Sequence, residues 1–249
     1  MNAGSPVQKF TPVFVVGFNK TGTTSVTALL RRWGYNPFHG VGWADNLDHF
    51  SFRQHDAFAD GERHDFATLD KAYPDAKFIV LLRSLDRWLI SRIMHVEYRR
   101  HQGRTGWMRH EYEASAEHAV RKWISRREKY YKQLSDYFAN RPGKLLAVNF
   151  CEAPDANSVI QQISMHLGVA LDATSAVPAR NAAESKRKTL SWYQKLRAWS
   201  HGHKLRGRSE VEEEVQRVLS SLDYDRAYWL SDGAEFFLAS QCQGVQPDE

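Results

Sequence analysis

Residues 13–32 read VFVVGFNKTGTTSVTALLRR, and this stretch decides the fold. Val13 to Val16 form an apolar run of β-branched and aromatic residues without polar alternation, the pattern of a parallel strand buried on both faces. From about Thr24, Val26, Leu29 and Leu30 fall on one helical face. Arg31, Arg32 and Gly34 then supply the basic last turn and the glycine expected at a helix C-terminus. Between the two lies GFNKTGTTS (17–25), a strand-to-helix turn. Such a turn aims backbone N–H groups and the positive end of a helix dipole, roughly half an elementary charge, at one spot. Lys20 adds a full charge, and Thr21, Thr23, Thr24 and Ser25 add hydroxyl donors. The stretch reads as a cradle for a phosphate-like anion.

The spacing separates two kinds of anion loop. A nucleotide-triphosphatase loop puts four residues between two glycines and follows the second with Lys-Ser/Thr. Gly17 and Gly22 keep that separation, but Thr23 follows the second glycine and the lysine stands two places before it, at Lys20. This arrangement resembles the 5′-phosphosulfate-binding loop of sulfotransferases that use 3′-phosphoadenosine-5′-phosphosulfate (PAPS). The form GFxKTGTTS looks like the variant in bacterial sulfotransferase-like proteins. The resemblance implies that Asn19, Lys20, Thr21, Gly22, Thr23, Thr24 and Ser25 bind the donor and that Lys20 also serves catalysis. It further implies adenosine 3′,5′-bisphosphate as product and no metal.

A second element supports the first. KFIVLLRS (77–84) is another buried strand, helix follows from Asp86 to Met94, and Ser91 lies eight residues after Arg83. An arginine at a strand end followed eight residues later by a serine resembles the sulfotransferase element that holds the donor's 3′-phosphate, and AYPDAKFI before it also looks like this family. Arginine brings a bidentate fork and serine a hydroxyl donor to one dianion. The structural alternative is an ion pair between Arg83 and Asp86. Many sulfotransferases add an Arg-Lys-Gly turn near the C-terminus; Lys186-Arg187-Lys188 is basic but lacks the glycine, so that role is not carried over.

Strand and helix signals alternate along the chain. Asp65 to Leu69 opens a helix that stops before Pro74, residues 95–140 are helical, Leu145 to Asn149 is a third buried strand, and a helix from about Ser158 ends at Gly168. The aromatics of 95–140 suit a core. The expected architecture is α/β, a P-loop-like three-layer α/β/α fold around a central, mainly parallel sheet, with a ligand crevice at the strands' carboxyl ends. The 249 residues suit one domain, with a core over about 13–170 and a basic, helical C-terminal extension over about 184–240. Ser209 and Glu212 predict a capping box for the last helix.

Sulfuryl transfer to a hydroxyl or amine needs a group that takes the acceptor's proton. Tyr35 to His39 (YNPFH) reads as a short strand that Pro37 confines to an edge or a strand start, and His39 ends it, 19 positions beyond Lys20. That distance is similar to the spacing of the catalytic carboxylate in heparan-type sulfotransferases. His39 also resembles the histidine after a Gly-aromatic-x-Pro stretch in bacterial relatives, with one residue of spacing different. Asp60 stands 23 residues before Arg83, close to the interval between catalytic histidine and arginine in cytosolic sulfotransferases. Histidine titrates near neutrality unaided, whereas aspartate needs burial to do so. His39 is therefore the expected base, with Asp60 orienting the acceptor or the imidazole. Residues 40–64 read as substrate-facing loops and a short helix, whose aromatics at 43–58 suit a sugar or a phenol equally.

Composition narrows the field. A net charge of +5 suits anionic ligands but is too mild for nucleic acid. The opening residues hold no signal-peptide core, no run approaches a membrane span, and Cys151 and Cys242 are too isolated for a disulfide framework or zinc site, which points to the cytoplasm. No histidine pattern predicts a metal site. Residues 184–208 carry eight Lys/Arg against one acid, Glu184, and suit a lid, a peripheral membrane contact or a solvated helix. The rival readings are a P-loop-type nucleotide kinase, separable by magnesium dependence and ATP binding, and a nucleotide-binding module without turnover.

Overall fold

The computed structural model describes residues 11–40, 43, 54–60, 62, 65–101, 107–171 and 206–222. Within them, strands β1 (Val13–Val16), β2 (Pro37–His39), β3 (Ala57–Ala59), β4 (Lys77–Leu81) and β5 (Leu145–Val148) form one sheet in the order β2-β3-β1-β4-β5. Every pairing is parallel. The helices are α1 (Thr23–Arg32), α2 (Phe66–Ala72), α3 (Leu85–His101), α4 (Trp107–Ala114), α5 (Ala116–Phe138), α6 (Ala156–Leu167) and α7 (Arg208–Ser221).

The strands are apolar throughout because both faces are covered. Val13, Val15, Ile79, Leu81 and Val148 share one cluster with Val26 and Leu30 of α1 and Ile160 and Ile163 of α6. Phe14, Val16, Phe78 and Val80 turn the other way, onto Leu69 of α2, Trp88 and Leu89 of α3, and Trp123 and Tyr130 of α5. This period-two alternation makes three layers from runs that look uniformly hydrophobic. Helix α7 packs on α3 and adds Val211, Val215 and Leu219 to the second cluster. There Tyr112 donates to Glu214 at 3.0 Å and Arg206 Nη1 donates to Tyr112 Oη at 2.6 Å.

Local signals hold where they are chemical. Gly34 (φ 88°) closes α1, with the Tyr35 N–H reaching Leu30 O at 3.1 Å. Gly168 (φ 65°) closes α6. Pro37 begins β2, the sheet's edge. The capping box at Ser209 is corrected. Gly207 is the N-cap, and Glu210 accepts its N–H at 2.6 Å. The salt bridge of Arg206 to Glu214 and its hydrogen bond to Tyr112 fix the chain's entry, so the helix starts early and Ser209 lies inside its first turn.

Residues 40–64 hold a second correction, because residues 57–59 are strand β3, between β1 and β2. In Ala-Phe-Ala the aromatic favours a strand and the alanines disfavour one, so propensity does not decide. Pairing on both sides decides the state, helped by the Asn36 N–H to Asp56 Oδ1 (2.7 Å) and Asn36 Nδ2 to Gln54 O (2.6 Å). Trp43 and Phe58 are also not acceptor-facing. Both are 1% exposed, and each stacks near Phe14, with ring centroids 5.6 and 5.7 Å away. Phe50, Phe52, Cys242 and residues 184–205 lie outside the described residues.

Candidate active site

Parallel pairing brings the strands' carboxyl ends to one edge. Val15 and His39 are both level with Ala59, and Val16 is level with Val80. The loop after β1, His39 at the end of β2, Asp60 after β3, Arg83 after β4 and Glu152 after β5 therefore share a rim. Edge position is set by topology, at the point where the chain leaves β1 in one direction and later returns on its other side.

The loop has the backbone of an anion cradle. Gly17 (φ 111°) and Gly22 (φ 106°) take conformations that side chains rarely adopt. A Cβ on Gly22 would also stand 3.2 Å from Cys151 Sγ. Helix α1 begins at Thr23 with no side-chain cap and no acid in its first turn, whereas Asp155 and Ser115 cap α6 and α5. Ser25 N–H already closes on Gly22 O at 2.9 Å, so what the turn offers a ligand is the positive dipole end at Thr23 and Thr24. The hydroxyls divide. Thr21, buried, donates to Phe18 O at 2.7 Å, so it shapes the loop rather than lining it. Thr23 and Ser25 are buried and Thr24 half-buried.

His39 and Asp60 come together. His39 Nε2 lies 3.3 Å from Thr23 Oγ1 and 3.5 Å from Thr24 Oγ1, facing the loop. His39 Nδ1 lies 4.0 Å from Asp60 Oδ2, an ionic separation rather than a hydrogen bond. Both side chains are partly exposed, at 30% and 22%. Lys20 (φ 69°) and Asp60 (φ 73°) are the described non-glycine residues with positive φ. Each costs about 1–3 kcal/mol and persists because the surroundings impose it.

Arg83 is not paired with Asp86 as the structural alternative supposed. Its Nη1 donates to Lys20 O at 2.8 Å, and its Nε lies 3.6 Å from Glu152 Oε1. Arg127 Nη2 donates to Arg83 O at 2.6 Å. Burial pushes the Glu152 carboxyl up, but hydrogen bonds from Asn149 and Ser84 and the nearby Arg83 outweigh it and hold it below the ordinary range. Glu152 thereby ties the β5 turn to the start of α3 at Ser84. Ser91 stands in the second turn of α3, half-buried.

Several residues brace the loop, most of them without a sequence signal. Asn19 turns its own acceptors into the protein, its carbonyl to Trp88 Nε1 (3.1 Å) and its Oδ1 to Arg92 Nη1 (3.3 Å). Arg92 is 1% exposed and donates twice to Glu62 Oε1, each at 3.2 Å. Burial pulls its pKa down, and Glu62 offsets part of that cost. On α5, Arg126 and Arg127 reach Glu62 and Arg83, and buried Tyr130 stands against the Gly17 N–H. Glu152, Arg92, Arg126 and Arg127 lie tens of residues from what they hold, so no local spacing marks them.

Among the described residues, no group of three His, Cys, Asp or Glu could hold a metal, and no helix is long and apolar enough to cross a membrane. Residues 50–147 match a family model described as a sulfotransferase domain. The matched segment contains Asp60, Glu62, Arg83, Ser91 and Arg92, whereas the 17–25 loop and His39 precede it. No curated protein matches the chain.

Proposed function

We propose, from the premise that residues 50–147 belong to a sulfotransferase family, that the chain transfers a sulfuryl group from PAPS to a hydroxyl or amine of a small acceptor, a carbohydrate being one class. One observation carries the donor assignment: the uncapped α1 N-terminus, with Lys20 and Gly22 in left-handed conformations, stands beside Arg83 through its bond to Lys20 O. The cradle fits a 5′-phosphosulfate at Lys20, Gly22, Thr23, Thr24 and Ser25, and Arg83 with Ser91 fits a 3′-phosphate.

In-line sulfuryl transfer resembles phosphoryl transfer, where positioning and charge stabilisation supply most of the catalysis. The loop amides and Lys20 stabilise charge growing on the oxygen that bridges phosphorus and sulfur. His39 Nε2, facing the loop hydroxyls, takes the acceptor's proton as the new O–S or N–S bond forms. Asp60, beyond Nδ1, orients the ring and balances the imidazolium. The two isolated cysteines suit a reducing cytoplasm.

Two phosphate sites give a direct test. Calorimetry should show adenosine 3′,5′-bisphosphate binding much more tightly than adenosine 5′-monophosphate, and equal affinities would remove Arg83 and Ser91 from the donor site. Arg83→Ala should weaken adenosine 3′,5′-bisphosphate about tenfold or more, the scale of a hydrogen bond to a charged group. Because Arg83 also holds Lys20 O, its loss should lower turnover as well. An unchanged dissociation constant for this variant would contradict the assignment.

A further inference from the structure

Lys20 and Asp60 come from different strand ends, each in a left-handed conformation that its neighbours must enforce. Both lead, within two residues, to the same buried side chain. Asn19 precedes Lys20, and its Oδ1 accepts from Arg92 Nη1 at 3.3 Å. Glu62, two residues beyond Asp60, receives Nη1 and Nη2 of Arg92, both at 3.2 Å. The guanidinium lies near the rings of Trp88 (5.0 Å) and Trp123 (4.8 Å), which fix its plane from α3 and α5. Trp88 in turn donates to Asn19 O, and Arg126 holds the far oxygen of Glu62 at 2.8 Å.

We infer that Arg92 is a positioning residue, one buried guanidinium that sets the donor-loop lysine and the acceptor-side aspartate relative to each other through Asn19 and Glu62. The inference rests on the proposed sulfuryl transfer. The guanidinium fork serves both tethers: Nη1 donates to Asn19 Oδ1 and Glu62 Oε1, and Nη2 adds a second bond to Glu62 Oε1. Lysine offers one ammonium on a flexible stem and cannot reproduce a planar bridge between an amide and a carboxylate. A charge of the right sign is also required, since neutral replacement would leave Glu62 facing Arg126 alone from α5.

The test compares the wild-type chain with Arg92→Lys, which keeps the charge, and Asn19→Ala, which cuts the loop tether without stranding a buried charge. With PAPS and an acceptor found by screening, Arg92→Lys should lower kcat about a hundredfold, the cost of a misplacement near 1 Å. The KM for PAPS should change far less. Asn19→Ala should give the same kcat–KM split in smaller degree. In amide NMR spectra, Arg92→Lys should move the Lys20 and Asp60 signals together, and Asn19→Ala should move Lys20 more than Asp60. An active wild type whose Arg92→Lys variant keeps its kcat overturns the inference and leaves the proposed function standing. So does a variant whose only change is a lower melting temperature. A wild type that neither binds adenosine 3′,5′-bisphosphate nor transfers sulfate removes the proposed function instead. The NMR comparison then still decides the coupling, which unmoved Asp60 signals in Arg92→Lys would refute.

Discussion

Lys20→Ala is expected to lower sulfuryl transfer about a hundredfold or more while leaving adenosine 3′,5′-bisphosphate binding less affected. The physical reason is where the charge acts. Charge grows on the leaving oxygen only as the bond to sulfur breaks, and a preorganised partner there is worth about two to three orders of magnitude in rate. On the proposed assignment Arg83 acts instead on a phosphate that does not react, so its removal should register first in donor affinity. Its contact with Lys20 O at 2.8 Å means that Arg83→Ala also loosens the lysine's backbone, and some loss of turnover follows. Lys20→Ala therefore separates the roles more cleanly. Steady-state kinetics with calorimetry on both variants decides the matter, and identical patterns of loss would mean that the roles are misassigned.

His39→Ala is expected to lower turnover by about a hundredfold to ten-thousandfold, the range of a lost general base. Asp60→Asn should give a smaller fall in rate, because Asp60 lies 4.0 Å from Nδ1 and, on the proposed assignment, acts through the ring. Should His39→Ala keep near-normal turnover while Asp60→Asn abolishes it with donor binding intact, the base is Asp60. Thr23 and Thr24 lie within 3.5 Å of His39 Nε2 and link the ring to the donor loop, so Thr23→Val is a useful control on ring placement.

By itself the sequence determined the parts whose signal is local. Four apolar residues followed by GFNKTGTTS specify a buried strand, a glycine turn and a helix start, because strand burial and glycine conformations are encoded within one turn of chain. The strand at 77–81 and the Gly34 and Gly168 helix ends were legible for the same reason. Tertiary structure alone decided the rest. Ala57–Ala59 is a strand because β1 and β2 pair with it on either side, although its own residues favour no state. Trp43 and Phe58 are core because they and Phe14 pack as a mutual triangle, each ring 5.6 to 5.7 Å from the other two, on a covered face of the sheet. The approach of His39 to Asp60, the inward turn of Asn19, and the bridge through Arg92 join residues 21 to 73 positions apart. Such contacts arise from parallel register and helix packing, which no local spacing records.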